Sequence, residues 1–477
     1  MLCVQLNDSS PRPSDSQPSA STGVFLYNSL SRLREELITR EPGQVSLYVC
    51  GVTPYDALHI GHARAFVVYD ALRRFLEHRG LEVLHVQNVT DVDDKIINRA
   101  AQVGTSAQEL ADRYAQEAQV ELALLNVLPA HQYPRVTGHI EPIISMVQVL
   151  EEKQFAYARG GDVYFDVSRD ERYGTLSGQK PDELRSTGRI EPGELKDDTL
   201  DFALWKGAKP GEPSWESPWG AGRPGWHIEC SAMALEILGP AFDIHGGARE
   251  LIFPHHENER AQSESFLFGE AQSTFAQYWW HCGVVMVDGQ KMSKSLGNFL
   301  SVKDALELAD RNEWRLFFLM THPTSPLDYT PERLKQSRNA WSRLYSSLHG
   351  AEPRAEKSAA ASKFEEQFEA ALCDNLSTPS ALAAVFEAVS ESNREGDTSL
   401  AVAAREALQV LGFTFEARKA DNLGDLSPSL IEMLIEVRNL ARERRDFKSS
   451  DQIRARLAEL KIVLEDTPEG TRWKIER

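Results

Sequence analysis

The sequence predicts an α/β protein built on a doubly wound parallel sheet, with an insertion, a following helical bundle and a small mixed α/β domain at the C-terminus. Strand-like and helical periodicities alternate between residues 44 and 101. A stretch rich in glycine and proline, residues 156–225, separates this part from a second one of the same kind. From residue 331 onward the periodicity is almost purely helical. A chain of 477 residues is long enough for three or four such domains.

The first half of the predicted sheet follows from four segments. Residues 44–50 alternate between apolar and polar side chains, which predicts a strand. Residues 62–78 have helical spacing that ends at Gly80, residues 81–89 alternate again, and residues 93–101 are helical. A strand, a helix and a second strand in this order are typical of a βαβ unit, so we expect parallel strands covered by helices.

The remaining elements follow the glycine- and proline-rich insertion. The second half of the sheet is predicted from helix 226–239, strand 242–245, helix 255–268 and strand 284–287. The bundle is predicted from helices 331–348, 363–372, 379–390 and 400–411. The last unit is predicted from helices 430–444 and 450–460 and strands 462–465 and 471–475.

Charge and cysteine content exclude several classes of protein. The chain has 52 Lys and Arg against 71 Asp and Glu, a net charge of −19, which excludes non-specific coating of nucleic acid. Five scattered cysteines do not form a disulfide framework and indicate a reducing compartment. No apolar run is long enough to span a membrane. Residues 1–22 are rich in serine and lack the features of a signal peptide, so we expect a disordered tail on a cytoplasmic protein.

The segment His59-Ile60-Gly61-His62 opens the first predicted helix directly after the first strand. Backbone N–H groups at a helix N-terminus favour phosphate, glycine permits close approach, and imidazoles can donate to phosphate oxygens. The alternative is a pair of histidines in a loop without such a role.

A second candidate for phosphate binding is Lys291-Met292-Ser293-Lys294-Ser295, which precedes a turn at residues 296–298. Two ammonium groups and two hydroxyls on a loop can hold a polyphosphate while charge moves between its phosphates. The alternative is an exposed basic loop. The occurrence of both motifs in this order favours nucleotide chemistry more than either motif does by itself.

Four residues form a candidate metal site. His255 and Glu259 are four apart in a predicted helix and therefore share one face. Cys50 ends a predicted strand, where ligand crevices form in parallel sheets. With Cys230 they make a suitable donor set for zinc. Spacing leaves open that both cysteines are buried core residues and that His256 takes the place of His255.

The two phosphate-binding motifs resemble the signatures of class I aminoacyl-tRNA synthetases. Four further segments narrow the resemblance to the cysteinyl-tRNA synthetase family: YVCGVT at 48–53, NVTDVDDK at 88–95, GWHIECS at 225–231 and FPHHENE at 253–259. The similarity extends from about residue 24 to about residue 473. One departure is Ala248-Arg249-Glu250, where the family usually has glycine, serine and aspartate.

The resemblance implies an enzyme that activates L-cysteine with ATP and Mg²⁺ and transfers it to tRNA(Cys). It implies one zinc ion on Cys50, Cys230, His255 and Glu259. It implies catalytic roles for His59, His62, Lys291 and Lys294, and ATP binding by His59, Gly61, His62 and Lys294. It implies that the substrate lies among Gly51, Thr53, Thr90, Trp226, His245 and Gly247.

The resemblance also assigns the domains. We expect a tail (1–22), the first half of the catalytic domain (23–140), a connective insertion (141–225), the second half (226–270), a stem-contact region with the lysine-rich loop (271–330), a helical bundle (331–424) and an anticodon-binding domain (425–477). The basic segments 438–445 and 454–456 are either solvated surfaces or a contact for RNA phosphates. We expect a monomer.

Two other functions fit parts of the sequence. The first is the similar ligase that joins cysteine to an amino sugar in mycothiol biosynthesis. The second is an idle paralogue that acts as an RNA-binding module, which intact phosphate motifs disfavour. The presence of residues 425–477 favours the synthetase, since a ligase for small molecules has no use for an anticodon domain.

Overall fold

The computed structural model describes residues 21–187, 195–292, 298–352, 357–416, 427–444, 446–460, 462–467 and 470–475. The chain divides into two compact units, Met1–Thr414 and Phe415–Arg477. Most of the predicted tail lies outside the described residues, but Ser21 and Thr22 already belong to the first strand, so the tail expected over 1–22 is two residues too long. In the described part of the chain, no helix is both long and apolar enough to cross a membrane.

The first unit contains thirteen strands and thirteen α-helices in its described part. Up to the insertion they are β1 (Ser21–Asn28), β2 (Leu33–Ile38), β3 (Gln44–Val52), α1 (Ile60–His78), β4 (Glu82–Val89), α2 (Asp94–Val103), α3 (Ala107–Leu124) and α4 (Ile140–Glu152). The insertion adds β5 (Ala156–Arg159), β6 (Asp162–Phe165), α5 (Pro181–Thr187), β7 (Phe202–Gly207) and β8 (Gly222–Pro224). After it come α6 (Trp226–Leu238), β9 (Phe242–Ala248), α7 (Glu257–Phe266), β10 (Ala276–Cys282), β11 (Val285–Val287), β12 (Gln290–Lys291), α8 (Val302–Leu308), α9 (Arg311–Leu319) and β13 (Leu327–Tyr329). The bundle consists of α10 (Pro331–Leu348), α11 (Ala359–Cys373), α12 (Thr378–Glu395) and α13 (Thr398–Val410).

The central sheet has four parallel strands in the order β10-β9-β3-β4. The predicted βαβ unit is confirmed, with α1 connecting β3 to β4. Strand β3 is buried along most of its length because it lies inside the sheet. Strand β10 was not predicted, and it extends the sheet beyond the domain boundary expected at residue 270. All four strands end near the same edge, which is where the candidate site lies.

The insertion forms a four-stranded antiparallel sheet in the order β5-β6-β7-β8. Its buried Phe165 and Trp205 belong to one hydrophobic cluster with Ile143 of α4 and with Ile228 and Met233 of α6. The insertion therefore shares its core with α6, a helix that carries candidate site residues.

A buried ion pair joins the central helix α1 to α9. Arg315 of α9 and Asp70 of α1 are both about 1% exposed and form a salt bridge. The same guanidinium donates to the carbonyl oxygens of Leu125 at 2.8 Å and Leu411 at 2.6 Å. Because Leu411 follows α13, these contacts connect the bundle to α1, the helix that His59 caps.

The second unit contains α14 (Ser427–Glu443), α15 (Phe447–Glu459), β14 (Ile462–Thr467) and β15 (Gly470–Ile475) in its described part. The strands form an antiparallel hairpin, as the sequence predicts. Arg438 is only 2% exposed and donates to both carboxylate oxygens of Asp466, at 2.9 and 2.6 Å. An RNA contact through Arg438 is therefore wrong: this arginine stabilises the unit, whereas Arg454 and Arg456 are exposed.

Candidate active site

The phosphate-binding candidate lies at the N-terminus of α1. His59 is the N-cap, and its Nδ1 atom accepts hydrogen bonds from the N–H groups of Gly61 at 3.1 Å and His62 at 3.3 Å. The backbone N–H of His59 in turn donates to Nδ1 of His62 at 3.4 Å. The two side chains thus form a reciprocal cap of the kind usually made by serine and glutamate.

This cap determines which ring atom of each histidine carries a proton. Since both Nδ1 atoms accept hydrogen bonds, the neutral rings carry their protons on Nε2. The rings of His59 and His62 stack with their centroids 3.7 Å apart. Burial, then the neighbouring His59 and Lys95, lowers the pKa of His62 to about 3, so this ring is neutral at physiological pH. Two Nε2–H donors at a helix N-terminus suit an anionic ligand.

The lysine-rich loop begins beside the same helix. A Cβ atom at Gly61 would lie 3.4 Å from Cε of Met292 and 2.9 Å from the His59 ring, so glycine is required for this close approach. The backbone of Lys291 ends β12. Lys294 lies outside the described residues. After the loop, the N–H of Ile60 donates to the carbonyl of Leu300 at 3.1 Å, so both flanks of the loop lie at the start of α1.

The four predicted metal ligands converge in one buried cluster. Donor atoms of Cys50, Cys230, His255 and Glu259 all lie within 4.8 Å of one another. The two sulfur atoms are 3.9 Å apart, Cys50 Sγ is 3.5 Å from Glu259 Oε1, and His255 Nε2 is 2.9 Å from the same oxygen. Two sulfurs on one tetrahedral zinc ion would be about 3.8 Å apart, so the spacing fits that ion.

The four titratable groups of the cluster shift one another's pKa values. A hydrogen bond from Cys50 lowers the pKa of Cys230 to about 6, while burial raises the pKa of Cys50 well above its usual value. Burial lowers the pKa of His255, but the charge of Glu259 outweighs burial and raises it to about 10. Burial raises the pKa of Glu259, but His255 and His245 outweigh burial and hold it well below its usual range. The donor set and its spacing are compatible with a metal ion such as zinc, which would bind with both thiols and the imidazole deprotonated.

A second, overlapping set leaves the choice of histidine open. Cys50, His245, His256 and Glu259 also lie within 4.8 Å of one another, and His256 Nε2 is 3.3 Å from Cys50 Sγ. His256 Nδ1, however, is 2.8 Å from His281 Nε2. His245, predicted as a pocket wall, has its Nε2 2.9 Å from Glu259 Oε2, so in this structure it orients the carboxylate of a candidate ligand.

Trp226 packs against this cluster. Its ring stacks on His255 with centroids 4.2 Å apart, and Nζ of Lys95 lies 5.7 Å from its centroid. Nζ of Lys95 also lies 5.6 Å from the ring centroid of Tyr55. Thr53 lines a small cavity together with His59 and His62. The structure thus places Thr53 beside the phosphate motif and Trp226 beside the candidate metal cluster.

The side chain of Asn88 connects the ends of β3 and β4. The Asn88 side chain accepts from the N–H of Gly51 at 2.8 Å and donates to the hydroxyl of Thr90 at 3.2 Å. A Cβ at Gly51 would lie 1.8 Å from the carbonyl oxygen of Asn88, which no side chain permits. A Cβ at Gly247 would lie 2.7 Å from Cε1 of His256, so Gly247 makes room for the histidine cluster.

Sequence reasoning missed the bridging role of Asn88 and the burial of Glu229. Asn88 lies within a motif that carried the resemblance, but its bridging role needs the pairing of β3 with β4. Glu229 lies next to Cys230 and is 1% exposed. An isolated acidic residue in an apolar helix was the available signal, because Glu is almost never fully buried without a partner.

Comparisons with known proteins agree with this geometry. A family model described as "tRNA synthetases class I (C) catalytic domain" matches residues 37–339, and one described as "DALR domain" matches residues 367–424. The cysteine–tRNA ligase of Thermococcus onnurineus (strain NA1) is 46% identical over 475 residues, covering 94% of this chain and 99% of that protein. The chain belongs to the cysteine–tRNA ligase family. The cysteine–tRNA ligase of Moorella thermoacetica (strain ATCC 39073 / JCM 9320) is 45% identical over 481 residues, covering 94% and 100% of the two chains.

A solved structure supports the fold assigned to this cysteine–tRNA ligase family member. The methionyl-tRNA synthetase of Mycobacterium tuberculosis, determined with methionyl-adenylate, aligns with a TM-score of 0.54 and 16% identity over 77% of this chain and 89% of that one. The predicted Rossmann-like α/β fold with a helical region after it is thereby confirmed.

Proposed function

We propose that the chain is a cysteine–tRNA ligase that converts L-cysteine and ATP to cysteinyl-adenylate and pyrophosphate, and then transfers the cysteinyl group to tRNA(Cys). The observation that carries this proposal is the buried Cys50–Cys230–His255–Glu259 cluster, which lies at the same edge of the central sheet as the capped start of α1. The cluster can bind a thiol through a metal ion, and the N-terminus of α1 can bind a polyphosphate.

In the first step the substrate carboxylate attacks the α-phosphate of ATP, which is bound with Mg²⁺. The Nε2–H groups of His59 and His62 donate to phosphate oxygens as charge moves toward the leaving pyrophosphate. Gly61 permits the nucleotide to approach the helix N-terminus. Lys291 and Lys294 hold the polyphosphate.

In this proposal the metal cluster selects cysteine. Cys50, Cys230, His255 and Glu259 would hold one zinc ion, with His245 orienting the carboxylate of Glu259. When bound, zinc takes a thiol as the thiolate but holds an aliphatic hydroxyl weakly, which separates cysteine from serine. Trp226, Thr90 and Gly51 position the rest of the amino acid, and Gly247 keeps space for the histidines.

The partners and location follow from the same assignment. The second unit reads the anticodon of tRNA(Cys), and the chain acts as a monomer in the cytoplasm. The free thiols of Cys50 and Cys230 support a reducing compartment. The mycothiol-type ligase is not favoured, since relatives that match along 94% of this chain are cysteine–tRNA ligases.

Two assays test the proposal. Cysteine-dependent ATP–pyrophosphate exchange should occur, and the purified protein should charge tRNA(Cys) with cysteine. Removal of residues 425–477 should leave exchange nearly unchanged and sharply raise the tRNA concentration needed for charging. If exchange occurs but the full chain charges no tRNA and instead couples cysteine to an amino sugar, the ligase alternative replaces this proposal. If the truncated chain charges tRNA as well as the full chain, the role of the second unit is wrong.

A further inference from the structure

Arg64 of α1 is a fully buried arginine whose guanidinium binds four backbone carbonyl groups. Through Nη1 it donates to the carbonyl oxygens of Gly283 at 3.0 Å and Val284 at 2.9 Å. Through Nη2 it donates to those of His322 at 3.2 Å and Ser325 at 2.6 Å. The side chain is 0% exposed, and in the described part of the chain it forms no salt bridge. Since a charge buried without a counter-ion is costly, these four hydrogen bonds compensate for its lost hydration.

The four carbonyl groups belong to two chain segments that lead into paired strands. Residues 283–284 directly precede β11, and residues 322–325 precede β13. The two strands pair in parallel. A Cβ atom at Gly283 would lie 2.0 Å from the carbonyl oxygen of Ser325, so glycine is required for the close approach of the two segments. Arg64 therefore connects the starts of both strands to α1.

The lysine-rich loop leaves the same end of the β11–β12 hairpin that Arg64 binds. Strand β12 pairs antiparallel with β11 and ends at Lys291, the first residue of the loop. The next residue, Met292, lies close to Gly61 of α1. Gly61 and Arg64 are three residues apart and therefore share one face of α1. The chain thus enters and leaves the hairpin against the same face of α1.

The two flanks of the loop are attached to α1 in different ways. On the far flank, backbone N–H groups of Ile60 and Val302 donate to the carbonyl oxygens of Leu300 at 3.1 Å and Leu58 at 2.9 Å. On the near flank, the described residues 283–292 form no backbone hydrogen bond with α1. The position of the near flank therefore depends on side-chain contacts, of which the four hydrogen bonds of Arg64 are the most extensive.

We propose that Arg64 is a positioning residue for adenylate formation, which fixes the start of the lysine-rich loop beside His59 and His62. Arg64 touches no substrate; it acts through the β11–β12 hairpin on the loop that follows. The inference rests on the proposed function, in which the loop lysines and the two histidines bind the same polyphosphate. It deepens that function by naming the side chain that keeps these two phosphate-binding elements at a fixed separation.

The opposing interpretation is an arginine that only stabilises the fold. Arg64→Met removes every donor but keeps an unbranched side chain that adapts to a buried site. Arg64→Lys keeps the charge, but its donors lie on a single nitrogen and cannot reach both pairs of carbonyl groups as the planar guanidinium does. The matched control is Arg73→Met. Arg73 is also buried in α1 and donates to the carbonyl oxygen of Pro129 at 2.7 Å. It lies about two and a half turns further along the helix, and therefore on the opposite face.

The variants are compared in ATP–pyrophosphate exchange with the full-length, metal-loaded protein, and urea unfolding measures their stability. For Arg64→Met we expect kcat to fall roughly tenfold to a hundredfold, because a small displacement of a positioned group has effects of that size. The KM for cysteine should stay within about twofold of wild type, since the loop acts on the phosphates and not on the thiol. Arg64→Lys should restore part of the lost kcat. Arg73→Met should leave kcat unchanged, even where it lowers the free energy of unfolding.

A double-mutant cycle separates positioning from stability. The second background carries Lys291→Ala and Lys294→Ala, so that the loop has no ammonium groups left to position. In this background Arg64→Met should slow exchange by no more than about twofold, because the groups through which it acts are already absent. If Arg64→Met does not fold, Arg64→Lys takes its place in the cycle.

Two results would overturn the inference. Wild-type kcat in Arg64→Met, with or without a loss of stability, would identify a purely structural arginine. An equal fold-loss of exchange with and without the loop lysines would show that Arg64 acts independently of the loop. Both outcomes are distinguishable from failure of the proposed function, in which the wild-type protein itself would show no cysteine-dependent exchange.

Discussion

His59 has two roles that one pair of substitutions can separate. As N-cap of α1 it accepts hydrogen bonds from Gly61 and His62 at 3.1 and 3.3 Å, and as an imidazole it is proposed to donate to phosphate through Nε2. His59→Asn keeps a side chain that caps helices well but lacks the Nε2–H donor, whereas His59→Ala removes both the cap and the donor. Both variants should therefore lose catalysis, but only one should lose stability.

The magnitudes follow from these contacts. Loss of an N-cap costs about 1 kcal/mol, so His59→Ala should lower the free energy of unfolding by about that amount, while His59→Asn should change it by a few tenths at most. Loss of one preorganised donor to a developing charge costs on the order of 10²-fold in rate. Urea unfolding measures the first quantity and ATP–pyrophosphate exchange at saturating cysteine the second. Exchange at the wild-type rate in His59→Asn would refute the phosphate role.

Two further predictions concern the loop and the second unit. Lys294→Ala should slow exchange about tenfold or more with little change in cysteine affinity, because its charge acts on the phosphates, and an unchanged rate would reject that role. Asp466→Asn should destabilise the second unit by about 2 kcal/mol at neutral pH, because it removes the charge that compensates buried Arg438. Arg438 lowers the pKa of Asp466, so the carboxylate's contribution is complete above about pH 4 and is lost as pH falls through the lowered value. Urea unfolding monitored in the second unit checks this against exposed Asp451→Asn, and equal stability of the two variants would contradict it.

The elements with clear periodicity could be predicted from the sequence. Strand β3, helix α1 and strand β4 lie within a few residues of their predicted limits, and so do the four bundle helices and the C-terminal hairpin. Their apolar positions recur with the period of one buried face, so local pattern and tertiary environment agree.

Strand β10 was missed because it lacks alternation. Its sequence, Ala276 to Cys282, is buried at nearly every position and contains adjacent Trp279 and Trp280. A strand covered on both faces has no polar side to mark its period. The hairpin of β1 and β2 was missed as well, since an expected tail obscured its beginning.

The residues of the candidate site were named from the sequence, but the contacts between them were not. Cys50, Cys230, His255 and Glu259 could be chosen through the resemblance, and the structure brings them together. The contact of His245 with Glu259 joins β9 to α7, and no spacing rule encodes it. The reciprocal cap of His59 was equally hidden, because histidine is not among the preferred N-cap residues.

The central claim is that a metal on the Cys50–Cys230–His255–Glu259 cluster selects cysteine. The most direct measurement is metal analysis of the purified protein, combined with cysteine and serine activation, for wild type and Cys230→Ser. Cys282→Ser, which alters a buried free thiol outside the cluster, is the control. We expect about one zinc per wild-type chain, discrimination of cysteine from serine by roughly 10⁴ or more, and a parallel loss of zinc and cysteine affinity in Cys230→Ser with ATP binding retained. A metal-free wild-type protein that still activates cysteine and rejects serine would contradict the claim.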